Sequence, residues 1–167
     1  MDDRTAWKQA VAATSEWYFS LSSGNQAELD RLLEESMQFK QKLVELVTSS
    51  GSSEVCRSCG GECCLRGKFH VTVLDILAYV KTGVVPLAPD FSSGPACPYS
   101  DASGCLMPSV YRPVTCVIFN CELLEERLSP AERDMLYAYE NSLRATTARA
   151  GRIGGKRLDR PLLLSGS

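Results

Sequence analysis

The stretch CRSCGGECC, residues 56–64, contains four of the chain's eight cysteines and opens the region whose fold they decide. A Cys-x-x-Cys pair such as Cys56 and Cys59 can place two thiolates on one metal ion from a tight turn. Gly60 and Gly61 follow the pair, and glycine relieves backbone strain there and lets amide groups point at sulfur. The stretch therefore predicts a thiolate metal centre.

The remaining cysteines extend the pattern without leaving one region of the chain. All eight lie between residues 56 and 121, and the flanking segments contain none. The chain begins MDDRTAWKQA, which lacks a basic segment followed by an apolar one, so we expect no secretory signal and a reducing, cytoplasmic location. Clustered cysteines in that setting indicate metal binding or redox chemistry before disulfides. The candidate metal ligands are Cys56, Cys59, Cys63, Cys64, Cys97, Cys105, Cys116 and Cys121.

The ligand types restrict the metal. His70 is the only histidine in the chain, which excludes a histidine-rich zinc or non-haem iron site. An all-thiolate set suits zinc or an iron–sulfur cluster, and the residues alone leave that choice open. Either centre is negatively charged, and Arg112 is the best placed to neutralise it, because Pro113 and Cys116 fix its surroundings. Other basic side chains that could do so are Arg57, Arg66 and Lys68.

Cys63 and Cys64 are adjacent, which constrains how the thiols divide. Neighbouring side chains usually diverge, so both could bind one tetrahedral ion only from a strained loop. We expect either two neighbouring metal centres or one ligand with a second thiol just outside the centre. Eight thiolates could form two four-cysteine sites, and one four-cysteine site with accessory cysteines is equally permitted.

Helical patterns precede the cysteine region. Apolar residues recur at spacings near three and four over residues 3–20 and again over 25–48, which predicts two helices. In the second helix the charged residues, Lys40 among them, lie mostly off the apolar stripe. A Ser-Gly connection at 49–53 reads as flexible. The two helices could pack as a hairpin, form a dimer surface or contact a protein partner.

The middle of the chain combines a short helix with a long loop. Residues 71–81 are predicted to be helical, with Thr72 at the cap and Asp75 completing an imperfect capping box. Residues 84–113 are rich in Pro, Gly and Ser and are typical of a loop. A loop of that length needs an anchor in a compact domain, and its two cysteines could supply one by binding metal.

Two further helices are predicted near the C-terminus. One starts near Thr115 and runs through Arg127. The next starts at the SPAE sequence of residues 129–132, which has Ser at the cap, Pro at the first helical position and Glu three residues after the cap, and it runs to about Arg149. The Gly-containing residues 151–167 include four basic side chains and are predicted to be a flexible tail.

Together these elements predict a mainly α fold, in which helices flank a loop-rich, metal-cross-linked cysteine-cluster domain. The predicted units are an N-terminal helical hairpin (1–53), the cysteine-cluster domain (54–122), a C-terminal helix packing on the core (123–150) and the tail (151–167). The net charge of −2 gives no reason to expect nucleic-acid binding. No apolar run reaches the roughly 18–20 residues needed to span a membrane.

The ordered combination of motifs resembles a known family. The motifs are the first cysteine cluster, the helix after it ending in Thr-Gly, the Cys97-Pro-Tyr segment, and Cys105 followed by Tyr-Arg-Pro-x-x-Cys116. They are similar to those of the YkgJ-like cysteine-cluster proteins, whose domain is described as zinc- or iron-chelating and is related to a domain of flagellin lysine N-methylases. The match covers roughly residues 54–122. It implies metal ligation by Cys56, Cys59, Cys63, Cys64, Cys97, Cys105 and Cys116, and less directly by Cys121.

Two positions depart from the family pattern. The family usually places two residues between its second and third cysteines, whereas residues 60–62 make three here. The family often has Arg after the last cysteine of Tyr-Arg-Pro-x-x-Cys, and here Val117 stands there. The first departure alters the expected ligand geometry, and the second removes a charge partner for the metal.

The leading hypothesis is a protein whose bound metal organises the loop region. One alternative is an iron–sulfur-dependent redox or methyl-transfer enzyme, which the resemblance implies, although the sequence has no Gly-rich nucleotide loop and no Cys-x₃-Cys-x₂-Cys run. Another is thiol redox chemistry or metal delivery through Cys56 and Cys59. His70 lacks a located catalytic partner, so a structural or surface role is expected for it. The sequence leaves open whether the chain is an enzyme.

Overall fold

The computed structural model describes residues 2–92 and 96–165, and its architecture is mainly α, as predicted. The helices of these residues are α1 (Asp3–Phe19), α2 (Ser23–Ser49), α3 (Ser52–Ser58), α4 (Val73–Thr82), α5 (Val114–Ile118), α6 (Glu122–Glu125) and α7 (Pro130–Ala150). A two-stranded antiparallel hairpin pairs β1 (Ser100–Asp101) with β2 (Gly104–Cys105). Single 3-10 turns lie at Glu62–Cys64, Gly67–Phe69, Ser109–Tyr111, Ile153–Gly155 and Leu162–Leu164.

α2 is the helix on which the rest of the core is built. It packs against α4 and α7, and it contributes to both hydrophobic clusters of the core. Leu29 and Leu32 are fully buried in the larger cluster, with residues of α1 and α4. Leu43 is fully buried in the smaller cluster, with residues of α5 and α7. The predicted stripe of apolar residues on α2 is therefore a packing surface.

α4 is an apolar helix at the centre of the larger cluster. Its capping box is complete, because the Asp75 amide donates to the Thr72 hydroxyl (3.3 Å) and the Asp75 carboxylate accepts from the Thr72 amide (2.9 Å). Leu77 is fully buried, and Gly83 ends the helix at a φ of 68°, a conformation that favours glycine. The predicted helix over 71–81 is confirmed with its cap.

Lys40 is a correction to the sequence-based pattern. It is not on the solvent side of α2 but is buried, and its Nζ lies 2.7 Å from Oδ1 of Asp75. The exposed fractions of the two side chains are 4% and 1%. The periodicity of α2 cannot reveal this pair, because its carboxylate comes from α4. An unpaired charge in that position would be strongly unfavourable, so the two residues hold α2 and α4 in register.

The long loop is anchored by apolar side chains. Tyr99, Met107 and Tyr111 are buried in the larger cluster, and the ring of Tyr111 stacks on Tyr79 of α4 with centroids 4.0 Å apart. Cys97 and Cys105 were predicted to anchor this loop by binding metal. The buried aromatic side chains provide an anchor that does not depend on the cysteines.

The helix predicted from Thr115 through Arg127 is two short helices. The chain becomes extended at Phe119 (ψ 104°) and Cys121 (ψ 157°), between α5 and α6. Asn120 lies in this break, and its side-chain amide donates to the Glu140 carboxylate of α7 (3.1 Å). The break therefore places Cys121 on a different element from Cys116.

The predicted flexible tail is wrong for residues 151–165. Leu158 and Leu162 are almost fully buried in the larger cluster. The Leu158 carbonyl accepts from the Leu74 amide (3.0 Å), and the Leu162 amide donates to the Val71 carbonyl (2.8 Å). The first amides of a helix have no intrahelical partner, and this segment supplies acceptors for them. Residues 166–167 of the predicted tail lie outside the described residues.

Among the residues that the structure describes, the cysteine segment has no hydrophobic core of its own. α4 belongs to the predicted cysteine-cluster domain of residues 54–122, yet it shares its cluster with α1 and α2. Two residues of the predicted connection at 49–53 belong to α3, which begins at Ser52. No helix within residues 2–92 and 96–165 has the length and apolar character to cross a membrane.

Candidate metal centre

The first cysteine pair lies at the C-terminal end of α3. Cys56 is in the last turn of the helix and Cys59 follows it as the C-cap. The Cys59 amide donates to the Val55 carbonyl (3.1 Å), and the Cys59 Sγ lies 3.5 Å from the Cys56 carbonyl oxygen. Because Val55 is buried, the last turn of α3 is fixed on the protein while its two thiols lie at the surface.

Two consecutive glycines turn the chain from α3 to the next cysteine pair. Gly60 and Gly61 have φ values of 68° and 74°, the left-handed region that favours glycine. The 3-10 turn that follows carries Cys63 and Cys64, and burial, together with negative charge on Cys63, raises the pKa of Cys64. The positive φ values confirm that the glycines relieve backbone strain in this turn.

The β-hairpin holds the next two cysteines together. The Cys97 carbonyl accepts from the Ser100 amide (3.1 Å) and the Ser100 hydroxyl (2.8 Å). Ser100 in turn pairs with Cys105 across the hairpin. Cys97 and Cys105 are eight positions apart in the chain, and backbone hydrogen bonding makes them neighbours.

The 3-10 turn at Gly67–Phe69 and the following His70 contact Cys97, which precedes the hairpin, and Cys116 of α5. Gly67 lies so close to Cys97 that a Cβ at position 67 would clash with the Cys97 Sγ, so no side chain fits there. The His70 amide caps the turn by donating to the Gly67 carbonyl (3.2 Å), and the His70 Nδ1 lies 3.2 Å from the Cys116 Sγ. Residues 67–70 thus connect Cys97 with Cys116.

Cys121, the last cysteine, follows the extended residues that separate α5 from α6. Cys121 is the N-cap of α6, and α6 packs against α3. The Arg127 guanidinium, just after α6, donates to the Glu54 carboxylate of α3 (2.9 Å). Cys121 therefore lies beside the α3 pair, although 62 residues separate it from Cys59 in the chain.

Charge interactions between thiols identify the neighbours of Cys56. Burial raises the pKa of the Cys56 thiol, and negative charge on Cys63, Cys59 and Cys121 raises the pKa further. Each of these three thiols is therefore close enough to Cys56 for its charge to act on that thiol. Arg112 opposes their effect on the pKa of Cys56.

A second group of thiols is linked in the same way. Burial raises the pKa of Cys64 to about 12, with contributions from Cys63, Cys97 and Cys105. Burial also raises the pKa of Cys97, which Cys105 raises further. Cys116 retains solvent-exposed surface, yet the protein packed around its thiol raises its pKa strongly, together with negative charge on Asp75, Cys105, Cys97 and Cys64.

The predicted basic partners of the centre differ in position. Arg112 is held in place by its Nε, which donates to the Met107 carbonyl (3.1 Å), and its charge acts on Cys56. Lys68 instead pairs with Asp3 of α1, and the Arg57 Nε donates to the Ser53 carbonyl. Arg112 is therefore the basic side chain that favours thiolate charge in the cluster.

All eight cysteines are free thiols. No three Cys, His, Asp or Glu side chains in the described ranges converge tightly enough to hold a metal ion as they stand. Binding a common ion would therefore require these side chains to move. The donor set, with eight soft sulfur atoms beside one basic side chain, fits a thiophilic metal.

Three residues at the cluster were not predicted from the sequence to belong to it. His70 contacts Cys116, and Asp75 acts electrostatically on the same thiol from the capping box of α4. Gly67 permits the close approach of Cys97. The only sequence signal for them is position, since all three lie between the two halves of the cysteine cluster.

The chain matches no family model, no curated protein and no solved structure. The resemblance to the cysteine-cluster proteins therefore stays a prediction from the motifs.

Proposed function

We propose that this protein binds zinc or an iron–sulfur cluster through its cysteine cluster, and that the bound group holds the cysteine segments together. The observation that carries the proposal is the set of eight free thiols on six separate segments, which the β-hairpin, the Gly67–Cys97 contact and the packing of α3 against α6 and β2 bring towards one another. Thiolates are the ligands that zinc and iron–sulfur clusters prefer. The motif resemblance supports the same conclusion.

The lengths of the cysteine-bearing elements support a structural role for the metal. α3, α5 and α6 have seven, five and four residues, well below the length at which an isolated helix is stable in water. When bound, the metal would supply cross-links between these short segments in addition to their packing on the core. In small peptides such binding contributes on the order of 10 kcal/mol to folding.

The thiol redox alternative is less well supported by the geometry. Redox-active Cys-x-x-Cys pairs usually sit at a helix N-terminus, where the macrodipole stabilises the thiolate. Cys56 and Cys59 lie at the C-terminal end of α3 instead. The dipole there disfavours a thiolate, so these residues are better suited to metal binding, where the cation itself stabilises the negative charge.

The test is the metal and acid-labile sulfide content, with the visible spectrum, of protein purified without oxygen. Stoichiometric iron with sulfide and a brown colour would identify a cluster and bring the redox or methyl-transfer alternative forward. Stoichiometric zinc in a colourless protein would identify structural metal. Protein that contains neither metal, and takes up neither after reduction, would contradict the proposal.

Matched variants assign the ligands. Cys59→Ser and Cys116→Ser should each lower the metal content and the thermal stability together. Leu65→Ser is the control, since it introduces the same side chain beside Cys64 at a position that is 56% exposed and carries no thiol. Full metal retention in a cysteine variant would remove that residue from the ligand set.

Free thiols of this number persist under reducing conditions, which is consistent with the proposed cytoplasmic location.

A protein partner at the N-terminal helices stays a prediction. α1 and α2 place most of their large apolar side chains in the core, and Phe19 is their exposed exception. Exposed apolar side chains are more frequent near the cysteines, where they include Leu65, Phe69, Leu106, Phe119 and Leu123.

A further inference from the structure

A cavity lies between α1 and the C-terminal segment that returns to α4. Its volume is about 350 Å³, which falls within the range of small-molecule sites and equals the volume of about a dozen water molecules. In the part of the chain that the structure describes, no cysteine lines it. The cavity is therefore separate from the candidate metal centre, and the proposed metal-binding function gives it no role.

The floor of the cavity is apolar. Small side chains of α1 form one side of it, since Ala6, Ala10 and Ala13 recur at helical spacing. The other side is formed by three buried side chains of α4 and the C-terminal segment, which are Val73, Leu158 and Leu162. Thr14 adds no free polar group, because its hydroxyl donates to the Ala10 carbonyl (2.7 Å). A ligand in contact with this floor needs an apolar body.

The indole of Trp17 forms a wall of the cavity that is held in place without a ligand. Gly154 packs against the ring so closely that a Cβ at position 154 would clash with it, and the φ of 70° at Gly154 favours glycine as well. On the same ring, the Lys156 Nζ lies 5.6 Å from the centroid. The apolar part of the cavity is therefore formed in advance of binding.

Basic side chains surround the mouth of the cavity. Lys156, Arg157 and Arg160 line it and are exposed to solvent, and none of the described lining residues is acidic. Arg157 has a partner in Asp159, with 3.5 Å between Nε and Oδ1. A cleft lined by charges of one sign concentrates the field within it, so this mouth attracts an anion.

Hydrogen bonds of the C-terminal segment fix these charges in position. The Arg160 carbonyl accepts from the Val73 amide (3.3 Å), which ties the segment to the start of α4. The Arg160 Nη2 donates to the Ser165 carbonyl (2.9 Å), which orients the guanidinium. That bond uses one of the several N–H donors of the side chain, so the guanidinium keeps donors for a ligand.

We propose that this cavity binds a small amphiphilic anion, a free molecule with a short apolar chain or ring and a single carboxylate or phosphate head. The body would lie on the apolar floor beside Trp17, and the head would lie at the mouth with Lys156 and Arg160. A free molecule suits the cavity better than a lipid bilayer, because a bilayer surface would contact the basic rim and leave the floor unfilled. The inference is independent of the metal centre.

The first test is isothermal titration calorimetry of the full chain as purified, with sodium octanoate, 1-octanol and sodium acetate as ligands. Octanoate should bind most tightly, since the alcohol lacks the charge and acetate lacks the apolar chain. Lys156→Gln/Arg160→Gln should weaken octanoate binding about tenfold and leave octanol binding unchanged. The control Arg144→Gln/Arg149→Gln removes the same charge from exposed positions of α7 that do not line the cavity, and it should bind octanoate normally.

The second test fills the cavity. Ala13→Leu places a larger side chain on the floor and should abolish the binding of both octanoate and octanol. Position 13 is an exposed helical position where leucine is well tolerated, so the variant should fold, which circular dichroism checks. Ala12→Leu makes the same change at the preceding exposed residue, outside the cavity, and should bind normally. Octanoate should also change the fluorescence of Trp17 in the unaltered chain.

Several outcomes would overturn the inference. They include no binding of octanoate by the unaltered chain, and binding that survives in Ala13→Leu. Equal affinity for octanoate and octanol would contradict the role of the basic rim. Attachment of the chain to phosphatidylglycerol vesicles without binding of octanoate would assign the basic side chains to a membrane surface instead. The metal content should be the same in all these variants, so failure of the inference would leave the proposed function standing.

Discussion

The helical core and the cysteine segments are held together in different ways. The core consists of long helices, such as α2 and α7, whose leucines are fully buried on one another. The cysteine segments consist of short helices and turns whose thiols are exposed or half-buried. Burying a leucine contributes about 1.5–3 kcal/mol, whereas an exposed thiol contributes little until it binds something. We therefore expect the core to be stable by itself, and we propose that the cysteine segments depend on a bound metal.

Metal removal should separate the two regions most strongly. A chelator should remove stabilisation on the order of 10 kcal/mol from the cysteine segments and leave the core folded. Hydrogen exchange should then accelerate over residues 54–66 and 114–125, while α2 and α4 stay protected. If protection falls equally in all helices, the two regions form one unit and the comparison fails.

The buried ion pair joins two helices of the core, α2 and α4. Asp75→Ala should lower the free energy of unfolding by about 3–5 kcal/mol, because it leaves the Lys40 charge buried and unpaired. Urea denaturation measures this loss. The double variant Lys40→Met/Asp75→Leu removes both charges and should be more stable than Asp75→Ala. A double variant as unstable as the single one would contradict a role for the unpaired charge.

A core leucine should affect stability and leave the metal content unchanged. Leu77→Ala creates a cavity in the larger cluster and should lower the free energy of unfolding by about 2–5 kcal/mol. The control Leu123→Ala, at a side chain that is 57% exposed beside the cysteine cluster, should change it by less than about 0.5 kcal/mol. Loss of metal in folded Leu77→Ala protein would show that the regions are less independent than proposed.

The cap of α7 should give the smallest effect. Ser129→Ala removes the hydroxyl that accepts from the Glu132 amide (3.3 Å) and should lower the free energy of unfolding by about 1 kcal/mol. Thermal unfolding followed by circular dichroism detects such a change. Ala131→Ser, two positions after the cap and without a capping role, is the control. An unchanged melting temperature in Ser129→Ala would contradict a stabilising cap.

The helices could be predicted from local patterns because their causes are local. Apolar spacing identified α1 and α2, and the capping signals at Thr72 and Ser129 identified the starts of α4 and α7. The prediction failed where the cause lies elsewhere in the chain. Lys40 is buried because α4 supplies Asp75. Residues 151–165 pack on the core because Leu158 and Leu162 are buried there and two carbonyls of the segment accept from the first amides of α4.

The candidate site, too, could be predicted from the sequence only in part. The cysteines themselves were visible in the sequence, as was the constraint from adjacent Cys63 and Cys64. The sequence could not show which thiols are neighbours, because Cys121 reaches α3 only through the break between α5 and α6. Nor could it connect His70 with Cys116, which are 46 residues apart and meet only in the folded chain.

The return of the C-terminal segment to α4 has a consequence for biosynthesis. The carbonyls of Leu158 and Arg160 accept from the amides of Leu74 and Val73, and they are synthesised after all eight cysteines. During that interval the thiols are synthesised and exposed while the helix between them is not yet capped by the C-terminal segment. The nascent chain therefore presents its thiols before its core is closed.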